Sequence, residues 1–99
     1  MDNFPFQNQM IPDQSDNITV GRIVNVDRQN RSFTVMTDKD RSSAIRFNLA
    51  DNARITDFFG KPTDLCCLNP GARVRVRHAN FMTMSIPPQT TAFTIRVIR

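Results

Sequence analysis

From Arg73 almost to Pro87 the chain alternates without a break, and this run constrains the fold more than any other feature. Val74, Val76, His78, Asn80, Met82, Met84 and Ile86 keep one parity; Arg73, Arg75, Arg77, Ala79, Phe81, Thr83 and Ser85 keep the other. A period of two is the signature of a half-buried β-strand. Residues 73–87 would span about 50 Å if straight, at ~3.3 Å each. A chain of 99 residues folds to a radius of gyration of about 13 Å. The run must therefore bend, break or project near His78-Ala79-Asn80.

The rest of the chain has the same rhythm from Asn17 onward. Ile18, Val20, Val24 and Val26 share one parity, with Gly21-Arg22 interrupting. A glycine there predicts a bulge or a sharp coil. Asp27-Arg28-Gln29-Asn30-Arg31 reads as a turn, and Phe33 and Val35 alternate through Thr37. Asp38-Lys39-Asp40-Arg41-Ser42 is a second turn, after which Ile45, Phe47 and Leu49 alternate. These three strands form an antiparallel meander. Residues 50–71 lose the rhythm: Ala53–Thr56 reads as a short extended piece and Asp57-Phe58-Phe59-Gly60 as a turn with its aromatics tucked beneath. Thr63 to Leu68 suits one or two helical turns with Thr63 or Asp64 as N-cap. Asn69-Pro70-Gly71 stops it. After a turn at Pro87-Pro88-Gln89-Thr90, Phe93, Ile95 and Val97 alternate in the last strand.

Five strands with a short helical or irregular segment between the third and fourth predict an all-β, small five-stranded OB-like barrel over residues 17–99. Closure removes the exposed edges of an open sheet; an open meander or an SH3-like barrel is the alternative. Residues 1–16, rich in Asn, Gln, Asp and Pro, show no period and read as a flexible acidic arm.

An ordered series of residues carries a resemblance. It runs through Val20-Gly21-Arg22-Ile23-Val24, then Asn30-Arg31-Ser32-Phe33-Thr34-Val35. It continues with Asp64-Leu65 through Asn69-Pro70-Gly71-Ala72-Arg73-Val74-Arg75-Val76, and ends with Ala92-Phe93-Thr94-Ile95. It resembles an uncharacterised bacterial family of small OB-like β-barrel domains, over about residues 17–99. The spacing from Asp64-Leu65 to Gly71 is longer here, and Ala72 stands where an Asp is usual. The resemblance implies the fold and brings no activity or catalytic residue with it.

The charged set is lopsided: 11 Arg, 2 Lys, 9 Asp and no Glu. The net charge of +4 hides a division. Residues 1–16 carry Asp2, Asp13 and Asp16 without a base, for −3, and residues 17–99 carry +7. From Ala72 onward there are five Arg and no acid. Such a surface attracts phosphates or acidic partners.

Function classes narrow quickly. One His and neither Trp nor Tyr leave few nucleophile–base pairs, and no glycine-rich phosphate loop occurs. The chain reads as a non-enzyme without cofactor. His78, on the inward parity, reads as a structural histidine. Cys66, Cys67 and His78 fall short of a zinc set, and Asp38-Lys39-Asp40 lacks the oxygens of a calcium loop, so no metal is expected. The adjacent cysteines suit a reducing compartment rather than a disulfide framework, one thiol in the core and one partly exposed. With no leader and no apolar run of about 18 residues, the expected setting is cytoplasmic, away from membrane.

Two binding surfaces remain. Phe81, Met82, Met84 and Ile86, beyond the expected bend, offer adaptable apolar contacts; the main expectation is a binding or scaffolding module that engages protein, or a second copy, through them. The alternative is single-stranded nucleic-acid binding through an arginine ladder. Arg73, Arg75 and Arg77 share a face, with Arg46 and Arg96 as recruits from neighbouring strands. Stacking aromatics are the weak point, because Phe33, Phe47 and Phe93 all read as core.

Overall fold

An odd number of strands cannot close into a ring with every neighbour antiparallel; one junction must run parallel. The computed structural model has such a ring. It describes residues 17–38 and 43–98; the acidic arm expected over 1–16 and most of the second turn lie outside them. Six strands occur: β1 Asn17–Asp27, β2 Ser32–Thr37, β3 Ala44–Thr56, β4 Pro62–Thr63, β5 Arg73–His78 and β6 Gln89–Val97. β1, β2, β3, β6 and β5 close into a barrel, and β4 adds to the edge of β3. The β3–β6 junction is the parallel one; the other ladders are antiparallel. The protein is thus an all-β, closed five-strand OB-like barrel with one extra strand. No helix among the described residues is long and apolar enough to cross a membrane.

The alternating residues of β2, β3, β5 and β6 fill the interior. Phe33, Val35, Phe47, Val74, Val76 and Ile95 are essentially inaccessible, and the Phe33 and Phe47 rings meet at 5.4 Å. Leu65 and Leu68 join this core from either end of a 3-10 turn at Leu65–Cys67, whose N-cap Asp64 accepts a hydrogen bond from the Leu65 N–H. The expected helical turn is this one.

β1 serves two ladders. Its first half pairs with β5 and its second half with β2, and Gly21 belongs to both. A Cβ at Gly21 would sit 2.1 Å from the Met36 carbonyl oxygen and 2.7 Å from Val35 Cγ1. The glycine permits close approach; the register slip itself falls between Ile23 and Asn25. That slip corrects the expected parity of β1. Ile23 enters the core, while Ile18 and Val24 are exposed.

Other expectations also give way. β3 is one strand through Thr56, not a strand plus a separate piece, because its ladder with β6 shifts register between Leu49 and Arg54 and then resumes. The Phe58 and Phe59 rings do not tuck under their turn; they stand exposed, 47 % and 81 %, in edge contact with each other. The long alternating run does break where length required, since β5 ends at His78 and Ala79–Pro88 is irregular. His78 is buried there against Phe47. Its Nδ1 donates to the Ala79 carbonyl at 2.8 Å, and its Nε2 meets the Thr19 hydroxyl at 2.9 Å.

Gly21→Ala is expected to lower unfolding free energy by about 3 kcal/mol, because backbone must move to admit the methyl group. Gly60→Ala, at φ 84° in open space, should lose about 1–2 kcal/mol from left-handed strain alone. Urea titration of both variants checks the order; equal losses would contradict the close-approach role of Gly21.

Candidate functional site

Cross-strand partners share a face, so the register of the barrel sorts the arginines. On the outer surface, Arg77 of β5 lies between Ile18 of β1 and Thr94 of β6, and Thr94 is followed by Arg54 of β3. In the next row Arg75 lies between Val20 and Arg96, and Arg96 is followed by Thr56. Arg54, Arg75, Arg77 and Arg96 therefore form one patch across β5, β6 and β3. Two adjoining hollows of about 290 and 360 Å³ share Arg77 and Thr94 in their walls. Among the described residues no carboxylate lines either one.

Phe93 belongs to this patch and not to the core. The β5–β6 ladder pairs Arg77 with Thr94 and His78 with Ala92, which leaves Phe93 as an extra residue. That bulge lets Ala92 and Ile95 both face inward while Phe93 turns outward, half-buried. The Arg77 guanidinium carbon lies 5.7 Å from the centre of the Phe93 ring, within cation–π range. Arg77 Nη2 also donates to the Thr94 hydroxyl at 3.3 Å. The exposed Phe58 and Phe59 follow directly after Thr56, the partner of Arg96. Aromatic groups thus occur near both the Arg77 and the Arg96 rows.

The expected ladder divides. Arg73, Arg75 and Arg77 do share the outer face of β5, and Arg96 joins beside Arg75. Arg73 is engaged by Asp38, which accepts from its Nε at 3.1 Å and from its Nη2. Arg46 stays apart on the β2–β3 side, where it pairs with Asp27 at 3.3 Å and donates to Ser32 at 3.0 Å. Hydrogen bonds from the Asn30 side chain and backbone, and then Arg46, hold the Asp27 carboxyl below its ordinary value. Arg54 was missed because residues 50–56 show no usable alternation.

The apolar candidates lie elsewhere, on the irregular segment between β5 and β6. Phe81 and Met82 are exposed, and Met84 and Ile86 are wholly so. Met82, Ile86, Pro87 and Pro88 also line a hollow with Ser43, Ala44 and Ile45. The segment is held by Thr83, whose N–H donates to the Gln89 carbonyl and whose hydroxyl accepts from the Gln89 N–H. Among the described residues, no three His, Cys, Asp or Glu side chains gather as metal ligands would.

Cys66 and Cys67 are both exposed, which corrects the expectation of a core thiol, and their sulfurs are 3.7 Å apart. The core positions around them belong to Leu65 and Leu68 instead. The two thiols differ. A hydrogen bond with Thr63, then those with Cys66 and the Asp64 backbone, lower the Cys67 pKa. The hydrogen bond with Cys67 and its charge raise that of Cys66.

No family model matches the chain, and no curated protein sequence matches it. A solved structure does: a Cu(II)-bound variant of CusF from Escherichia coli, with a TM-score of 0.56 and 11% identity. The match covers 83% of this chain and 90% of that one. At this identity the likeness carries the fold alone, a small OB-like β-barrel.

Because the thiolate is the reactive form, iodoacetamide at mildly alkaline pH should modify Cys67 before Cys66. Tryptic mass spectrometry over a time course checks this; Cys66 reacting first would contradict the hydrogen-bond order at the 3-10 turn.

Proposed function

We propose that this domain is a non-enzymatic binding module that takes single-stranded nucleic acid on the outer face of β5, β6 and β3. The observation that carries this reading is the bulge at Phe93, which sets an aromatic ring among Arg54, Arg75, Arg77 and Arg96. Sequence-tolerant single-strand binding combines a positive groove with stacking side chains. Arg54, Arg75 and Arg96 are assigned to phosphates. Phe93, held under Arg77, and Phe59 at the far edge are assigned to bases. Many OB barrels bind on the strand 2–3 face, so the assignment rests on the charges and rings of this chain and not on fold analogy. The copper of the CusF structure is not carried over: His78, the single histidine, already has hydrogen bonds at both ring nitrogens. Two adjacent free thiols suit a reducing compartment, and the cytoplasm is part of the proposal.

A labelled oligothymidine of about 15 nucleotides, within the usual site size, is expected to bind in fluorescence anisotropy at low salt. Contact with three or four phosphates gives a slope of log affinity against log salt of about −2 to −3. Arg75→Ala with Arg96→Ala should flatten that slope by about 1.4. Phe93→Ala should weaken binding by about 1–3 kcal/mol if it stacks on a base. No binding at low salt would overturn the reading.

A second reading, engagement of a protein partner or a second copy, is favoured by the complete exposure of Met84 and Ile86. The resemblance to small OB-like domains of bacteria is compatible with both. Met84→Asp is expected to lower the mass seen by light scattering, or to abolish recovery of a co-purifying protein. Unchanged mass and unchanged recovery would dismiss the apolar segment as an interface.

A further inference from the structure

We propose that the acidic segment 1–16 of this chain lies along its own arginine face and is displaced when a polyanion binds there. The inference rests on reading that face as an anion site. Three observations point to this occupant.

The first is charge. The segment carries Asp2, Asp13 and Asp16 and no base, opposite Arg54, Arg75, Arg77 and Arg96. The second is the point of attachment. The segment joins the barrel at Asn17, the partner of His78, and the next residue, Ile18, pairs with Arg77. Ile18 also lines the same hollow as Arg75, Arg77 and Arg96. Asp16 therefore enters the barrel beside the arginines, and Asp13 follows within about 10 Å of extended chain. The third is reach. Residues 1–16 can extend about 50 Å, whereas four strands spaced ~4.8 Å apart are about 15 Å across. A tether this short holds its acids at millimolar effective concentration, so individually weak exposed ion pairs suffice to populate the contact.

The segment then acts as an internal competitor. Weak or short anions leave it in place, and a strand that neutralises several arginines at once removes it.

The test compares the full chain with its D2N/D13N/D16N variant. In ¹⁵N-labelled protein at low salt, the arginine Nε–Hε signals of Arg75, Arg77 and Arg96 should differ between the two chains. The difference should vanish as salt approaches about 1 M, where the Debye length is ~3 Å. It should not depend on protein concentration; dependence would overturn docking within one chain in favour of a second copy. The variant should bind oligothymidine about five- to tenfold more tightly at low salt, since three competing charges are gone. Superimposable arginine signals would overturn the proposal, even if both chains bind oligothymidine. Shifted signals with no oligothymidine binding by either chain would uphold the docking and remove the nucleic-acid reading instead.

Discussion

The barrel depends on β1 belonging to two ladders at once. A strand that pairs with β5 over its first half and β2 over its second must turn between them, and it turns where Gly21 sits in both registers. The absence of a side chain there lets the Met36 carbonyl approach to a position that any Cβ would contest. Directly afterwards the chain slips by one residue, and Ile23 exchanges backbone hydrogen bonds with Gly71 and Ala72. Gly71, at φ 96°, supplies the left-handed turn that brings this loop into reach. Closure is therefore a matter of backbone approach at one strand. The core residues of the other strands profit from it because closure covers their inward faces.

Register slips also decide what the outside of the barrel offers. Side chains alternate with a period of two, so each extra residue reverses the faces of everything beyond it. The slip in β1 brings Ile23 inward and sends Val24 outward. The shift in β3 keeps both Phe47 and Ile55 inward across an odd stretch of chain and places Arg54 outside. The extra residue in β6 sends Phe93 out while Ala92 and Ile95 stay in. The proposed binding surface is in this sense a product of the barrel's bends: one arginine and its central aromatic ring are where they are because two strands had to curve.

This also explains what was legible in the sequence. The strands with unbroken alternation, β2 and β5, could be read directly, as could the ladder of Arg73, Arg75 and Arg77. The break near His78 followed from length alone. The turn at Asn69-Pro70-Gly71 followed from its residues. Bulges are different, because their position is set by the ladder to a neighbour distant in sequence, and nothing local marks them. Val24, Phe93 and Arg54 were misassigned or missed for that one reason. Phe58 and Phe59 failed differently: apolar rings in a turn suggest burial, but this turn is closed by Asp57, whose carboxylate accepts from the Phe59 and Lys61 N–H groups. The turn needs no aromatic packing to hold it.

The arrangement of acids sharpens the meaning of the positive face. Asp27 and Asp38 are used on Arg46 and Arg73, toward the β2–β3 side and the far end of β5. Arg75 and Arg96 stand directly opposite each other in an antiparallel ladder, a placement that like charges disfavour by a few tenths of a kcal/mol or more. Folding this barrel thus gathers positive charge that the unfolded chain would keep apart. An anion seated among Arg54, Arg75, Arg77 and Arg96 relieves that repulsion in the folded state only. Binding and folding are then linked, and the stability gained rises as RT ln(1 + [L]/Kd) with free ligand. A protein partner on the apolar segment near Met84 would stabilise the fold as well, but it would leave the repulsion between Arg75 and Arg96 in place. The sensitivity of ligand-induced stabilisation to salt therefore separates the two surfaces physically, since the arginine face is screened within a Debye length of about 8 Å at physiological ionic strength and buried apolar contact is not.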